Sequence, residues 1–194
     1  MIMKLSYIDL NSQDSVSIDK GKRSTAYFCK KLPARVDGKL IEELKKIIYT
    51  LKDKNLRLCL HDNPQDLFQG MIILERSGKY YRPHKHLEKG ESFHIIEGRM
   101  AVFTFDDAGK VVDSCILEQG GTIIYRVAVN SCHAVLPITD LVVYHETKPG
   151  PFLGQEDSIF PEWSVEESDK DGVDKYKQSL LSILKIKLPQ GKSI

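Results

Sequence analysis

Between residues 39 and 51 the apolar positions Leu40, Ile41, Leu44, Ile47, Ile48 and Leu51 recur three and four apart, the spacing of one helical face. Glu42 and Glu43 come early and Lys45 and Lys46 late, an order that suits the helix dipole. The pattern predicts an amphipathic helix packed on the outside of a β-structure, with a partner-binding helix as the competing reading. From Leu56 the period changes. Leu56–Leu60, Gly70–Arg76, Ser92–Ile96, Arg99–Asp106, Val111–Leu117, Thr122–Tyr125 and Leu141–Thr147 are short apolar or alternating runs. Asn63-Pro64, Ser77-Gly78, Asp107-Ala108-Gly109 and Gln119-Gly120-Gly121 punctuate them as turns. Many short strands without intervening helices predict an all-β sandwich or barrel. A second helix is expected over Val173–Lys185, capped by Asp171, with Val173, Tyr176, Leu180, Ile183 and Leu184 on one side. The first 37 residues read as polar and irregular, with one short strand at Lys4–Leu10, and Pro149–Pro161 reads as a loop leaving the barrel. The expected division is an arm and helix over 1–55, a β-barrel over 56–163 and a helical tail over 164–194.

Composition narrows the partners. In 194 residues, 28 Lys and Arg nearly balance 27 Asp and Glu, so neither nucleic acid nor an anionic membrane is the expected partner. No apolar run approaches the ~20 residues of a membrane helix, and Met1-Ile2-Met3-Lys4 lacks a signal-peptide core, so a cytoplasmic location is expected. Cys29, Cys59, Cys115 and Cys132 form no CxxC pair and read as free thiols.

The chemistry concentrates between Gly78 and Gly98. His84 and His86 stand two apart in a β-type stretch, so their imidazoles leave the same face. Glu91 follows a short polar bend, Leu87-Glu88-Lys89-Gly90, and can swing back to the same point. His133 comes from a separate strand after Gly120-Gly121. Three imidazoles and a carboxylate converging from two strands make a mixed N/O metal site with room for water or substrate. One divalent ion per chain is expected; Fe, Mn, Co, Ni and Zn all suit this donor set.

The spacing G-x5-H-x-H-x4-E-x6-G over Gly78–Gly98 resembles the first cupin motif at every fixed position. The second cupin motif is altered: Ala128, Asn130 and Pro137 stand where Pro, Gly and Asn are usual, while His133 is retained. Asn130 tolerates positive φ, so the turn before His133 can survive without glycine. Within that superfamily, Tyr81-Arg82-Pro83-His84-Lys85-His86, Lys89-Gly90-Glu91-Ser92-Phe93-His94, Glu97-Gly98-Arg99, Phe105-Asp106-Asp107-Ala108-Gly109 and Lys148-Pro149-Gly150-Pro151 are similar to the WbuC family. The resemblance runs from about Arg57 to Trp163. It implies a double-stranded β-helix, a jelly-roll barrel holding its metal inside, with a flanking helix at each end. It also implies association with bacterial surface polysaccharide (lipopolysaccharide) biosynthesis, and a homodimer formed through the flanking helices and the N-terminal arm.

Arg57, Cys59 and His61 alternate along one predicted strand and share a face. If that face is the interior, a guanidinium and an imidazole enter the cavity, and Arg57 suits a carboxylate or phosphate. Gln69, Arg82 and Tyr125 are further candidate ligand contacts. By alternation Arg82 shares the face of His84 whereas Tyr81 faces away, and His94, of opposite parity to Glu91, also faces away. Of His145 and Glu146 only one can point inward; Glu146 is expected to, and with His61 is a candidate general base.

These residues suggest a small metal-dependent enzyme, of isomerase, epimerase or oxygenase type, acting on a sugar or small anionic metabolite. The alternatives are a non-catalytic metal-containing module that binds such a ligand, and an ion that merely staples the barrel.

Overall fold

The computed structural model describes residues 7–51 and 55–185. The described elements run β1 (Val16–Lys20), β2 (Ser24–Cys29), α1 (Gly38–Thr50), β3 (Asn55–Cys59), β4 (Phe68–Arg76), β5 (Glu91–Glu97), β6 (Arg99–Phe105), β7 (Val111–Glu118), β8 (Ile124–Val127), β9 (Cys132–Pro137), β10 (Leu141–Pro149) and α2 (Lys170–Ile183), with a short 3-10 helix at Gly154–Asp157. The strands form a seven-stranded sheet, β1-β2-β3-β4-β10-β5-β8, and a three-stranded sheet, β7-β6-β9. Together they form an all-β jelly-roll barrel with one helix flanking each sheet. Among the described residues, no helix is long and apolar enough to cross a membrane.

Period-two alternation divides each strand between two environments. On the outer face of the large sheet, Leu56 and Leu58 (β3), Ile72 and Leu74 (β4) and Val143 (β10) pack with Leu40, Ile41, Leu44 and Ile48 of α1. The helix opens at Asp37, whose carboxylate accepts from the Leu40 N–H at 2.9 Å. On the outer face of the small sheet, Ala101, Phe103 and Phe105 of β6 and Cys132, Ala134 and Leu136 of β9 receive Leu180 and Leu181 of α2. The alternate positions turn inward. Met71 and Ile73, Phe93 and Ile95, Met100 and Val102, Val142 and Tyr144 pack together between the sheets.

Three expectations need correcting. The first 37 residues are not irregular: β1 and β2 form an antiparallel hairpin, and β2 runs parallel to β3, extending the large sheet. The reason β1 escapes the pattern is its edge position, since only Val16 in it is buried. Of the expected strand at Lys4–Leu10, residues 4–6 lie outside the described residues and 7–10 are not strand. The second helix starts earlier and is capped by Asp169, which accepts from the Gly172 N–H, rather than by Asp171.

Two turns after the interior strands depend on backbone conformation. Gly98 joins β5 to β6 at φ 81°, where a Cβ would collide with the Leu141 carbonyl; only glycine fits. Asn130 does adopt φ 57°, and its N–H donates to the His86 carbonyl at 2.9 Å. The altered second motif therefore still makes its turn.

Candidate metal centre

The His-x-His segment is held by two short bridges. His84 and His133 exchange both backbone hydrogen bonds, at 3.1 and 2.9 Å, and Lys85 does the same with Ile159, at 3.0 and 2.9 Å. Glu91 opens β5 and pairs with Val127 of β8. His84, His86, Glu91 and His133 thereby bring one potential ligand atom each to within 4.8 Å of one another. All but His84 are buried, and His84 is half-buried.

The three imidazoles are oriented alike. Nδ1 of His84 faces the Arg82 carbonyl at 3.0 Å, Nδ1 of His133 faces the Ser131 carbonyl at 3.1 Å, and Nδ1 of His86 faces the Asp157 carbonyl. A carbonyl only accepts, so each Nδ1 carries a hydrogen and each Nε2 is the nitrogen turned toward the shared point, able to bind an ion once it is deprotonated. Backbone carbonyls that fix the tautomer in this way prepare histidine to bind a metal. Nε2 of His86 is buried without a hydrogen-bond partner, and an orphaned buried acceptor is costly unless something fills its coordination. Glu91 touches Nε2 of His133 and lies 3.6 Å from Nε2 of His86. Burial pushes the Glu91 carboxyl up, but the contacts from His133 and His86 outweigh it and hold the group well below the usual range. Burial and the neighbouring His133 lower His84 to about 4. Burial works against a charge on His86, but Glu91 outweighs it and raises the His86 pKa; a divalent ion would take the place of the proton that the ionised Glu91 favours there. The residues fit a metal.

His84, Glu91 and His133 open onto a cavity of about 240 Å³ lined also by Asn55, Arg57, Glu75, Tyr81, Phe93, Tyr144, Glu146 and Lys148. A larger cavity of about 950 Å³ shares Arg23, Ser24, Arg57 and Lys148 with it and adds Cys59, His61, Gln69, Phe152 and Phe160.

The structure distributes the expected site residues unevenly. Arg57 lines both cavities, and one guanidinium nitrogen donates to Ser24 Oγ at 2.7 Å. Glu146 lines the metal-side cavity and is 3.4 Å from Lys148 Nζ. His61 and Gln69 line the larger cavity only. Burial lowers the His61 pKa, and Gln69 Nε2 donates to the Pro64 carbonyl at 2.8 Å. His94 is exposed. Tyr125 donates to Asp113 at 2.6 Å and lines neither cavity. Arg82 lines neither cavity: it donates to Ser164 at 2.7 Å, pairs with Glu166 at 2.7 Å and lies over the Phe160 ring. Tyr81 lines the metal-side cavity, the reverse of the alternation argument. The cause is local: residues 79–83 are not strand, so side chains need not alternate there.

Four polar residues around the site do not stand out in the sequence. Lys148 lies 3.8 Å from Glu91, 3.4 Å from Glu146 and 3.8 Å from Asp157. Burial works against its charge, but the three carboxylates win and raise its pKa. Asp157 also pairs with Lys89, so the segment after β10 returns to the barrel at Asp157 and Ile159 rather than simply leaving it. Glu75 and Tyr144 complete the set. Glu75 is 4 % exposed; its carboxyl, pushed up to about 7 chiefly by burial, is contacted by Tyr81 and Tyr144. Parity along β10, read inward from Glu146, is a signal that finds Lys148 and Tyr144.

A family model described as Domain of unknown function (DUF6016) matches residues 39–117, a span that holds His84, His86 and Glu91 but not His133. No curated protein matches the chain. Among solved structures, the capsular polysaccharide assembling protein CapF from Staphylococcus aureus is similar at 13% identity and TM-score 0.49, over 76% of this chain and 34% of that one. The chain thus spans about a third of the CapF length. L-ribose isomerase from Cellulomonas parahominis is similar at 17% identity and TM-score 0.45, over 57% and 70% of the two chains. The Cnp3 cupin domain from Schizosaccharomyces pombe is similar at 15% identity and TM-score 0.39, over 49% and 60%. All three TM-scores lie below 0.5.

Proposed function

We propose that this chain is a small metal-dependent enzyme acting on a sugar or small polar metabolite, with an isomerase or epimerase reaction ahead of an oxygenase one. The observation that carries the reading is the composition of one small cavity. It combines His84, His133 and Glu91, whose ligand set His86 completes from beside the cavity, with Arg57, Lys148, Glu146 and Glu75. When bound, the divalent ion supplies Lewis-acid polarisation of a coordinated oxygen. Arg57 orients an anionic or hydroxyl-bearing part of the ligand through its fork of donors. Glu146 is the carboxyl placed to hold or take a proton, with Lys148 setting its charge. His61, in the adjoining cavity, suits contact with a longer ligand better than proton transfer beside the metal. The link to surface-polysaccharide biosynthesis and the homodimer belong to this proposal on the motif resemblance alone.

The test is to incubate protein loaded in turn with Mn, Fe, Co, Ni and Zn with free aldoses and follow the products by NMR. The expected result is a ketose or an epimer that appears with one metal and disappears in His84→Ala/His86→Ala. A second reading, a non-catalytic binding module, draws on the engagement of Glu146 with Lys148, which commits the carboxyl otherwise placed to move a proton. That reading predicts thermal stabilisation by a sugar with no product under any metal.

A further inference from the structure

The same cavity is lined by a second polar group that the metal chemistry does not use. Glu75 of β4 receives a hydrogen bond at Oε1 from the Tyr144 hydroxyl at 3.1 Å. Tyr81 also hydrogen-bonds the Glu75 carboxyl and itself accepts from Asn55 Nδ2. All four residues line the cavity that holds His84, Glu91 and His133. The Phe93 ring lies near both groups, 6.1 Å from the His133 ring and 6.0 Å from the Tyr144 ring. Glu75 is 4 % exposed, yet its Oε2 has no hydrogen-bond partner, and neither has Asn55 Oδ1. Two unfilled polar atoms in one buried cluster, both in residues that line a cavity, are costly in a molecule without a ligand.

We propose that Glu75, supported by Tyr81, Tyr144 and Asn55, is a binding subsite for a hydroxyl group of the ligand whose other end meets the metal ligands. A hydroxyl both donates and accepts. It can donate to an ionised Glu75 or accept from a protonated one, whereas a carboxylate or phosphate can only accept and an ammonium can only donate. Burial that raises the Glu75 pKa to about 7 populates both forms near neutrality, and the hydroxyl satisfies either. The subsite therefore selects a polyhydroxylated molecule, with one oxygen at the metal and another hydroxyl at Glu75, over a simple carboxylic acid. This inference rests on the sugar reading given under Proposed function.

The test uses Co(II)-loaded full-length protein, whose visible bands report what reaches the metal. Wild type, Glu75→Gln and Glu75→Leu are titrated with a panel of free aldopentoses and aldohexoses and, separately, with glycolate, too short to span both groups. The expected result is a sugar whose apparent Kd rises roughly tenfold in Glu75→Leu, the loss of about one hydrogen bond, and by less in Glu75→Gln, while glycolate binds all three alike. Should the leucine variant not fold, a weakening in Glu75→Gln that spares glycolate supports the subsite equally. Equal sugar affinity in wild type and both variants overturns the subsite and leaves the sugar reading standing. No response of the wild type to any sugar overturns the sugar reading and the subsite with it.

Discussion

The two faces of strands β3, β4 and β10 do different work. Outward, Leu56, Leu58, Ile72, Leu74 and Val143 form with α1 a wholly apolar layer. Inward, the same strands present Arg57, Glu75, Tyr144, Glu146 and Lys148 to a cavity. The hydrophobic effect holds the first face together through buried area alone. The second face keeps charged groups out of water and must satisfy each of them individually. Stability and chemistry thus sit back to back on shared backbone, and substitutions on one face should leave the other measurable.

The sharpest break of that comparison comes from the apolar side. Leu44 of α1 is fully buried, and Leu44→Ala should cost about 2–5 kcal/mol in denaturant unfolding, while the folded fraction keeps its metal content. Loss of metal from folded Leu44→Ala would show that the faces are not independent.

The next effect is on the polar side and depends on pH. The folded-state pKa of Glu75, about 7, lies above the usual 4.5. Its contribution is therefore fully present below pH 4.5 and is lost as pH rises through 7, because the folded state then has to bury a charge. At 1.36 kcal/mol per pH unit, the loss across that window is about 3 kcal/mol. Glu75→Gln should remove that slope, so that it overtakes wild type above pH 7 in denaturant unfolding followed from pH 4.5 to 8.5. Parallel pH profiles for the two proteins would contradict the assignment.

A smaller effect probes the turn that aims His133. Asn130→Ala places an ordinary residue at φ 57° and should cost about 1–2 kcal/mol, while Asn130→Gly should be nearly neutral. Thermal melts of the two variants decide it; equal losses would mean that the Asn130 side chain, not its backbone, matters.

Much of this is legible in the sequence because periodicity and spacing encode local geometry. The amphipathic period gives α1 almost to the residue, and the His84, His86, Glu91 and His133 set follows from a fixed-spacing motif plus one distant histidine. Alternation puts Tyr81 and Arg82 the wrong way round because it governs only extended, paired backbone, and residues 79–83 are not strand. Glu75 is hidden at the end of the apolar run Met71–Leu74, where an acid reads as the strand's exposed end. Asp157 comes back from a loop, and no local signal announces such a return. Strand β1 escapes notice because an edge strand buries too little to leave an alternating pattern, and β2 buries Thr25, Ala26 and Cys29 without alternating.

Elemental analysis of protein purified without added metal, beside His84→Ala/His86→Ala prepared in parallel and shown by circular dichroism to be folded, decides whether the four residues hold an ion. The metal-centre reading predicts one divalent ion per chain in the wild type and none in the variant. Absence of metal from both, or equal metal in both, would contradict it.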